Sequence, residues 1–136
     1  MNRFFGLLLL GVLACVGCRD SNSPQFSWAG KWKSTTVDGV DIAQFSDFTL
    51  DSVVVVFTMS GASAGTGVQR YYFRPPVGQN IDDGTVTITP AGLAFTLTRN
   101  NWILDFVRTD KGIRSGQPFC FPVRGCPVAQ FDFTKR

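Results

Sequence analysis

The chain has 136 residues, enough for one domain, and carries 13 Lys and Arg against 10 acidic residues, a formal charge of +3. That excess is too small, and too scattered along the chain, for a nucleic-acid-binding surface. Every acid is Asp and His is absent, which removes the commonest general base and the His-dependent triads. With Thr, Val, Phe and Gly plentiful and Glu missing, the composition suits strands and turns rather than helices.

The opening "MNRFFGLLLLGVLA" places Arg3 before an apolar run from Phe4 to Ala14. This is the layout of a secretory signal. The run is shorter than the ~20 residues a spanning helix needs, and it is apolar all round, without the stripe of a core helix. The cysteines behind it, in "VLAC" (12–15) and "CVGC" (15–18), resemble the lipobox of bacterial lipoproteins. In that family a signal peptidase cleaves before a cysteine that is then acylated. The resemblance implies a signal peptide over 1–14, Cys15 as the acylated residue, and a cell-envelope protein held on a membrane, facing the periplasm or the cell surface. Val12 supplies the aliphatic residue the motif wants. Cys18, after a signal of 1–17, is the alternative, and it leaves an even number of thiols. An ordinary cut after Ala14 with a soluble product is the competing reading. Acyl chains at ~0.8 kcal/mol per buried CH₂ would make anchoring effectively permanent.

Residues 15–25, with "RDSNSPQ" at their end, read as a flexible tether, and 26–136 as the folded domain. "WAGKWKSTTVDG" gives a first strand with Trp32, Ser34 and Thr36 on one face, closed by an Asp38-Gly39 turn. Ile42 and Phe45, three apart, allow a short helical turn. "DSVVVVFTMSG" is a strand with Val53, Val55, Phe57 and Met59 facing one way, and its first half is apolar on both faces. "GASAGTG" (61–67) reads as a hairpin loop. "VQRYYFRPP" is a strand ended by Pro75-Pro76. "VGQNIDDG" reads as a loop, with Asp82-Asp83-Gly84 as a turn. "TVTITP" and "LAFTLTRN" flank a turn at Pro90-Ala91-Gly92. "NWILDFVRTD" sets Trp102, Leu104 and Phe106 in register, and "VAQFDFTKR" pairs Phe131 with Phe133. Seven or eight short strands with regular turns predict an all-β protein: a small antiparallel meander barrel, or a flattened barrel or sandwich.

Cys120 and Cys126 flank "FPVRG". In an oxidising compartment the pair reads as a structural disulfide, worth roughly 2 kcal/mol for so short a loop. A metal site would want further Cys or His ligands. No Gly-rich stretch precedes the Lys and helix of a phosphate loop, and no acidic loop of EF-hand form exists. No cofactor and no enzymatic activity are expected. In "RYYFRPP", Arg70, Tyr72 and Arg74 share one face, and Tyr71 and Phe73 the other. The first face is either a cationic–aromatic binding strip or a solvated strand face over a core Tyr and Phe.

"GKW" (Gly30 to Trp32), opening the first strand, is similar to the G-x-W signature of the lipocalin superfamily and of bacterial lipocalin-like lipoprotein domains. The resemblance implies an up-and-down barrel whose Trp32 closes one end and packs on a late-strand Arg, here Arg136 or Arg108. It also implies a small apolar or amphipathic ligand inside, lined by Val55, Phe57, Phe95, Leu104 and Phe106, with Trp32 as the plug. A small barrel can instead be filled by its own side chains. The alternative function is then envelope protein–protein interaction, through a surface around Tyr71, Tyr72 and the Cys120–Cys126 loop.

Overall fold

The computed structural model describes residues 25–44, 50–74, 78–118 and 128–136. The elements are β1 (Gly30–Ser34), β2 (Thr36–Val37), β3 (Val40–Asp41), a 3₁₀ turn (Ile42–Gln44), β4 (Leu50–Met59), β5 (Ala64–Phe73), β6 (Gln79–Thr89), β7 (Gly92–Leu97), β8 (Ile103–Arg108), β9 (Ile113–Pro118) and β10 (Val128–Lys135). Strands β4 to β10 form an antiparallel meander, and β1 closes it between β4 and β10 into an eight-stranded barrel. Of the architectures the sequence allows, the barrel is the one formed. Closure leaves the main sheet without an unpaired edge.

Strict two-residue alternation builds this wall. Leu93, Phe95 and Leu97 of β7, Leu104 and Phe106 of β8, and Phe131 and Phe133 of β10 are buried, while the residues between them are half-buried or exposed. In β4, Val53, Val55 and Phe57 belong to the core; Val54, on the outer face, is buried as well. That double burial is what the run of four valines predicts. The β1–β10 seam is short, with Trp32 opposite Lys135 and Lys33 opposite Thr134. The Arg136 amide donating to the Lys31 carbonyl at 2.9 Å extends it. The β2–β3 hairpin turns at Asp38 (φ 50°) and Gly39 (φ 80°), the paired positive φ values of a tight hairpin turn. Its tip is tied to β10 in both directions: the Asp38 amide donates to the Gln130 carbonyl and the Gln130 amide to Asp38 Oδ1, both at 2.8 Å.

Three local expectations are corrected. The "GASAGTG" loop is shorter than expected, because β5 already begins at Ala64. "QNIDDG" is strand and not turn: Asp82 lies opposite Gln69 and Gly84 opposite Gly67 inside the β5–β6 ladder. Neither Gly67 nor Gly84 has room for a side chain, because the Phe95 ring lies over both; an added Cβ would come within 2.7 and 2.9 Å of Phe95 Cε2, respectively. The two glycines that read as flexible punctuation therefore form the seat of a core ring. Finally, Trp102 stands outside the register of Leu104 and Phe106. It precedes β8 and is 49% exposed. The short helical turn begins at Ile42 as expected.

Candidate functional site

Barrel topology puts each strand opposite its fourth neighbour in either direction, so β4 faces β8 and β5 faces β9 across the axis. Contacts between those strands report whether the interior is open. Phe57 of β4 and Phe106 of β8 meet edge-to-face with centroids 5.1 Å apart, a favourable aromatic geometry. Phe95 approaches Phe57 at 5.9 Å, and Phe133 approaches Phe106 at 5.6 Å. The residues expected to line a ligand chamber, Val55, Phe57, Phe95, Leu104 and Phe106, are all buried in one cluster. They sit on the inner face as their periodicity demands, and the Phe57 ring touches both Phe95 and Phe106.

A second crossing is polar. Gln69 of β5 and Gln117 of β9 are both fully buried. Gln69 Nε2 donates to Gln117 Oε1 at 3.1 Å, and Gln117 Nε2 donates to Gln69 Oε1 at 3.0 Å. The Tyr71 hydroxyl donates to Gln117 Oε1 at 3.0 Å and accepts from Gln69 Nε2. Burial holds the Tyr71 phenol well above its ordinary range, with the nearby Asp82 charge adding to the effect. Asp82 is itself buried, its Oδ1 3.3 Å from Nε of the exposed Arg99. The sequence reading assigned no role to Gln69, Gln117 or this ion pair. The signal was present: Gln69 and Gln117 fall at inward positions of their strands' alternation, and a buried amide requires a partner.

At the end of the barrel where β1 begins, the chain folds over its own opening. Trp32 Nε1 donates to the Trp28 carbonyl at 2.9 Å, and the Phe26 ring packs 5.0 Å from Trp28 and 6.0 Å from Trp32. Trp32, expected as an end plug, is buried at this end of the barrel. The cation over its ring is Lys135, with Nζ 5.2 Å from the centroid, and not the expected Arg136 or Arg108. Arg108 instead lies over Phe26, 4.6 Å from its centroid. Lys135 Nζ also donates to the Ser27 carbonyl at 3.1 Å. The substitution has a geometric cause: Lys135 is the residue opposite Trp32 in the seam.

On the outside, a groove of about 550 Å³ runs along β1, β4 and β5, lined by Lys31, Lys33, Asp51, Ser52, Val54, Tyr72 and Arg136. Its position follows from register: Lys33 flanks Val54 on one side and Arg70 flanks it on the other. Tyr72 is 37% exposed, whereas Tyr71 and Phe73 pack against the core. Of the expected aromatic surface, then, Tyr72 faces outward and Tyr71 belongs to the interior. Cys15, Cys18, Cys120 and Cys126 lie outside the described residues. The molecule is thus an eight-stranded antiparallel meander barrel with side chains meeting across its axis and a basic outer groove. No protein-family model, curated protein or solved structure matches the chain.

Proposed function

We propose that the chain is a lipid-anchored protein of the bacterial envelope that acts through its outer wall, as a non-enzymatic protein-interaction module with a filled barrel. The observation that carries this reading is the pair of crossings, Phe57–Phe106 and Gln69–Gln117. A carrier of the lipocalin kind needs open volume where these side chains meet. The basic groove walled by Tyr72 offers a partner both charge and an aromatic contact. Anchoring through Cys15, or through Cys18, and a Cys120–Cys126 disulfide complete the proposal on the strength of the sequence alone.

Native mass spectrometry of the membrane-extracted protein tests the filled interior. The expected mass is that of the acylated chain with nothing further bound. A co-purifying apolar molecule that is released only on unfolding restores the carrier reading. Photocrosslinking in intact cells tests the wall. A crosslinker at position 72 is expected to trap a discrete envelope protein, and one at position 105, on β8 across the barrel from the groove strand β4, is not. Equal yields from both positions refute the groove as the docking face.

A further inference from the structure

The described cations are unevenly placed along the barrel. Lys31, Arg108, Lys111, Lys135 and Arg136 all gather at the end where Phe26 and Trp28 cross the opening. All five are exposed, and none is in an ion pair among the described residues. The acids nearest to them are engaged elsewhere: Asp132 Oδ1 holds Arg114 Nε at 2.6 Å, and Asp110 also acts on the Arg114 guanidinium. Asp51, Asp82 and Asp83 lie toward the other end, near the start of β4 and the turn that follows β7. At that far end Arg74 and Arg99 offset the acids, so the barrel carries its excess of positive charge at the end where β1 begins.

We infer that this basic collar is a seat for an anionic phospholipid surface, holding the barrel upright on the membrane with the N-terminal end down. The inference rests on the anchoring proposed above. A tether over 15–25 reaches at most roughly 35 Å when extended, so it keeps the barrel within reach of the bilayer and leaves open which side faces it. Exposed Lys and Arg are drawn to a negatively charged leaflet over about a Debye length, ~8 Å at physiological salt. An acyl anchor supplies attachment without orientation, and the collar supplies orientation. It also leaves the distal loops and the part of the outer groove lined by Asp51, Ser52 and Tyr72 open to incoming partners.

The three tryptophans allow a direct test, because Trp28 and Trp32 sit at the collar and Trp102 at the far end. The membrane-extracted, acylated full chain carrying Trp102→Phe is reconstituted into vesicles of brominated phosphatidylglycerol or of brominated phosphatidylcholine. Flotation reports attachment, and fluorescence quenching reports depth. At low salt, quenching is expected to be at least threefold stronger on the anionic vesicles, and 0.5 M NaCl is expected to remove the difference. Lys111→Glu with Arg136→Glu is expected to abolish the preference. Lys33→Glu with Arg70→Glu, an equal charge change on the barrel wall, is expected to retain it. A chain that floats but is quenched equally by both lipids overturns the orientation and leaves anchoring standing; so does equal loss from the two charge-reversed pairs. A chain that floats with neither vesicle overturns both.

Discussion

Gln69 and Gln117 face each other across the barrel axis, each side-chain amide donating to the carbonyl of the other at 3.1 and 3.0 Å. A reciprocal pair leaves neither buried amide wanting a partner, and the Tyr71 hydroxyl extends the arrangement. Deleting one member strands the other without water. Gln117→Leu is expected to cost about 1–3 kcal/mol. Gln69→Leu with Gln117→Leu is expected to cost less than the sum of the single changes. A double-mutant cycle by urea denaturation measures that coupling. Additive losses would mean that the two amides do not depend on each other.

The apolar crossing makes a different prediction. Phe106 is fully buried and touches both Phe57 and Phe133. Phe106→Ala is expected to destabilise by about 3–5 kcal/mol. It should also create a dry cavity that binds benzene, read as a rise in melting temperature with added ligand that the parent protein does not show. A parent protein that binds benzene equally well would have open space of its own.

Gly67 and Gly84 rank against each other. A Cβ on Gly67 would meet the Phe95 ring, with its nearest atom at 2.7 Å, whereas a Cβ on Gly84 would meet the Thr96 carbonyl oxygen at 2.0 Å. A ring can shift slightly and a backbone in a closed ladder cannot. Gly67→Ala is expected to cost about 1–3 kcal/mol and Gly84→Ala more. Chemical denaturation decides the order.

These examples mark where local pattern stops informing. Alternation alone places Val55, Phe57, Phe95, Leu104, Phe106, Phe131 and Phe133 on the inner face, because a strand has only two faces and one is wet. Turn chemistry places Asp38-Gly39 correctly, since its two positive φ values are a local property. The same chemistry misreads Asp82-Asp83-Gly84. There the deciding partners are Gln69, Gly67, Phe95 and Arg99, and the closed barrel brings them together. The cation over Trp32 was equally out of reach. Whether Lys135 or Arg136 faces the ring depends on a one-residue register in the seam, and sequence does not carry that information. The basic collar is likewise a product of closure, because Lys31 and Lys135 belong to the first and last strands.

Ser115 sits opposite both Phe106 and Phe131 in the ladders. Its hydroxyl is buried without a hydrogen-bond partner among the described residues. An unpaired buried hydroxyl is a net cost, so Ser115→Ala is expected to leave stability unchanged or raise it by up to about 1 kcal/mol. A thermal melt checks this. A loss above that size would reveal a partner for the hydroxyl.

Tyr71 couples the polar crossing to pH. Its phenol is held neutral chiefly by burial and further by the charge of Asp82, so its folded-state pKa lies above the ordinary value of ~10. For a group raised in this way, the stabilising contribution is complete below the unfolded pKa. It is lost as pH rises past it, because the unfolded chain can then release a proton that the folded chain retains. The urea midpoint is therefore expected to be insensitive to Tyr71 between about pH 7 and pH 9, and to fall progressively above about pH 10. Tyr71→Phe lowers stability at neutral pH by removing the bond to Gln117, about 1 kcal/mol, but it also removes the phenol that titrates. The difference in stability between parent and variant is thus expected to shrink above pH 10 and to reverse sign as the solution becomes more alkaline. A constant difference from pH 7 to pH 11 would show that Tyr71 ionises equally in the folded and unfolded chains, and that the Gln69–Gln117 crossing stands in contact with solvent.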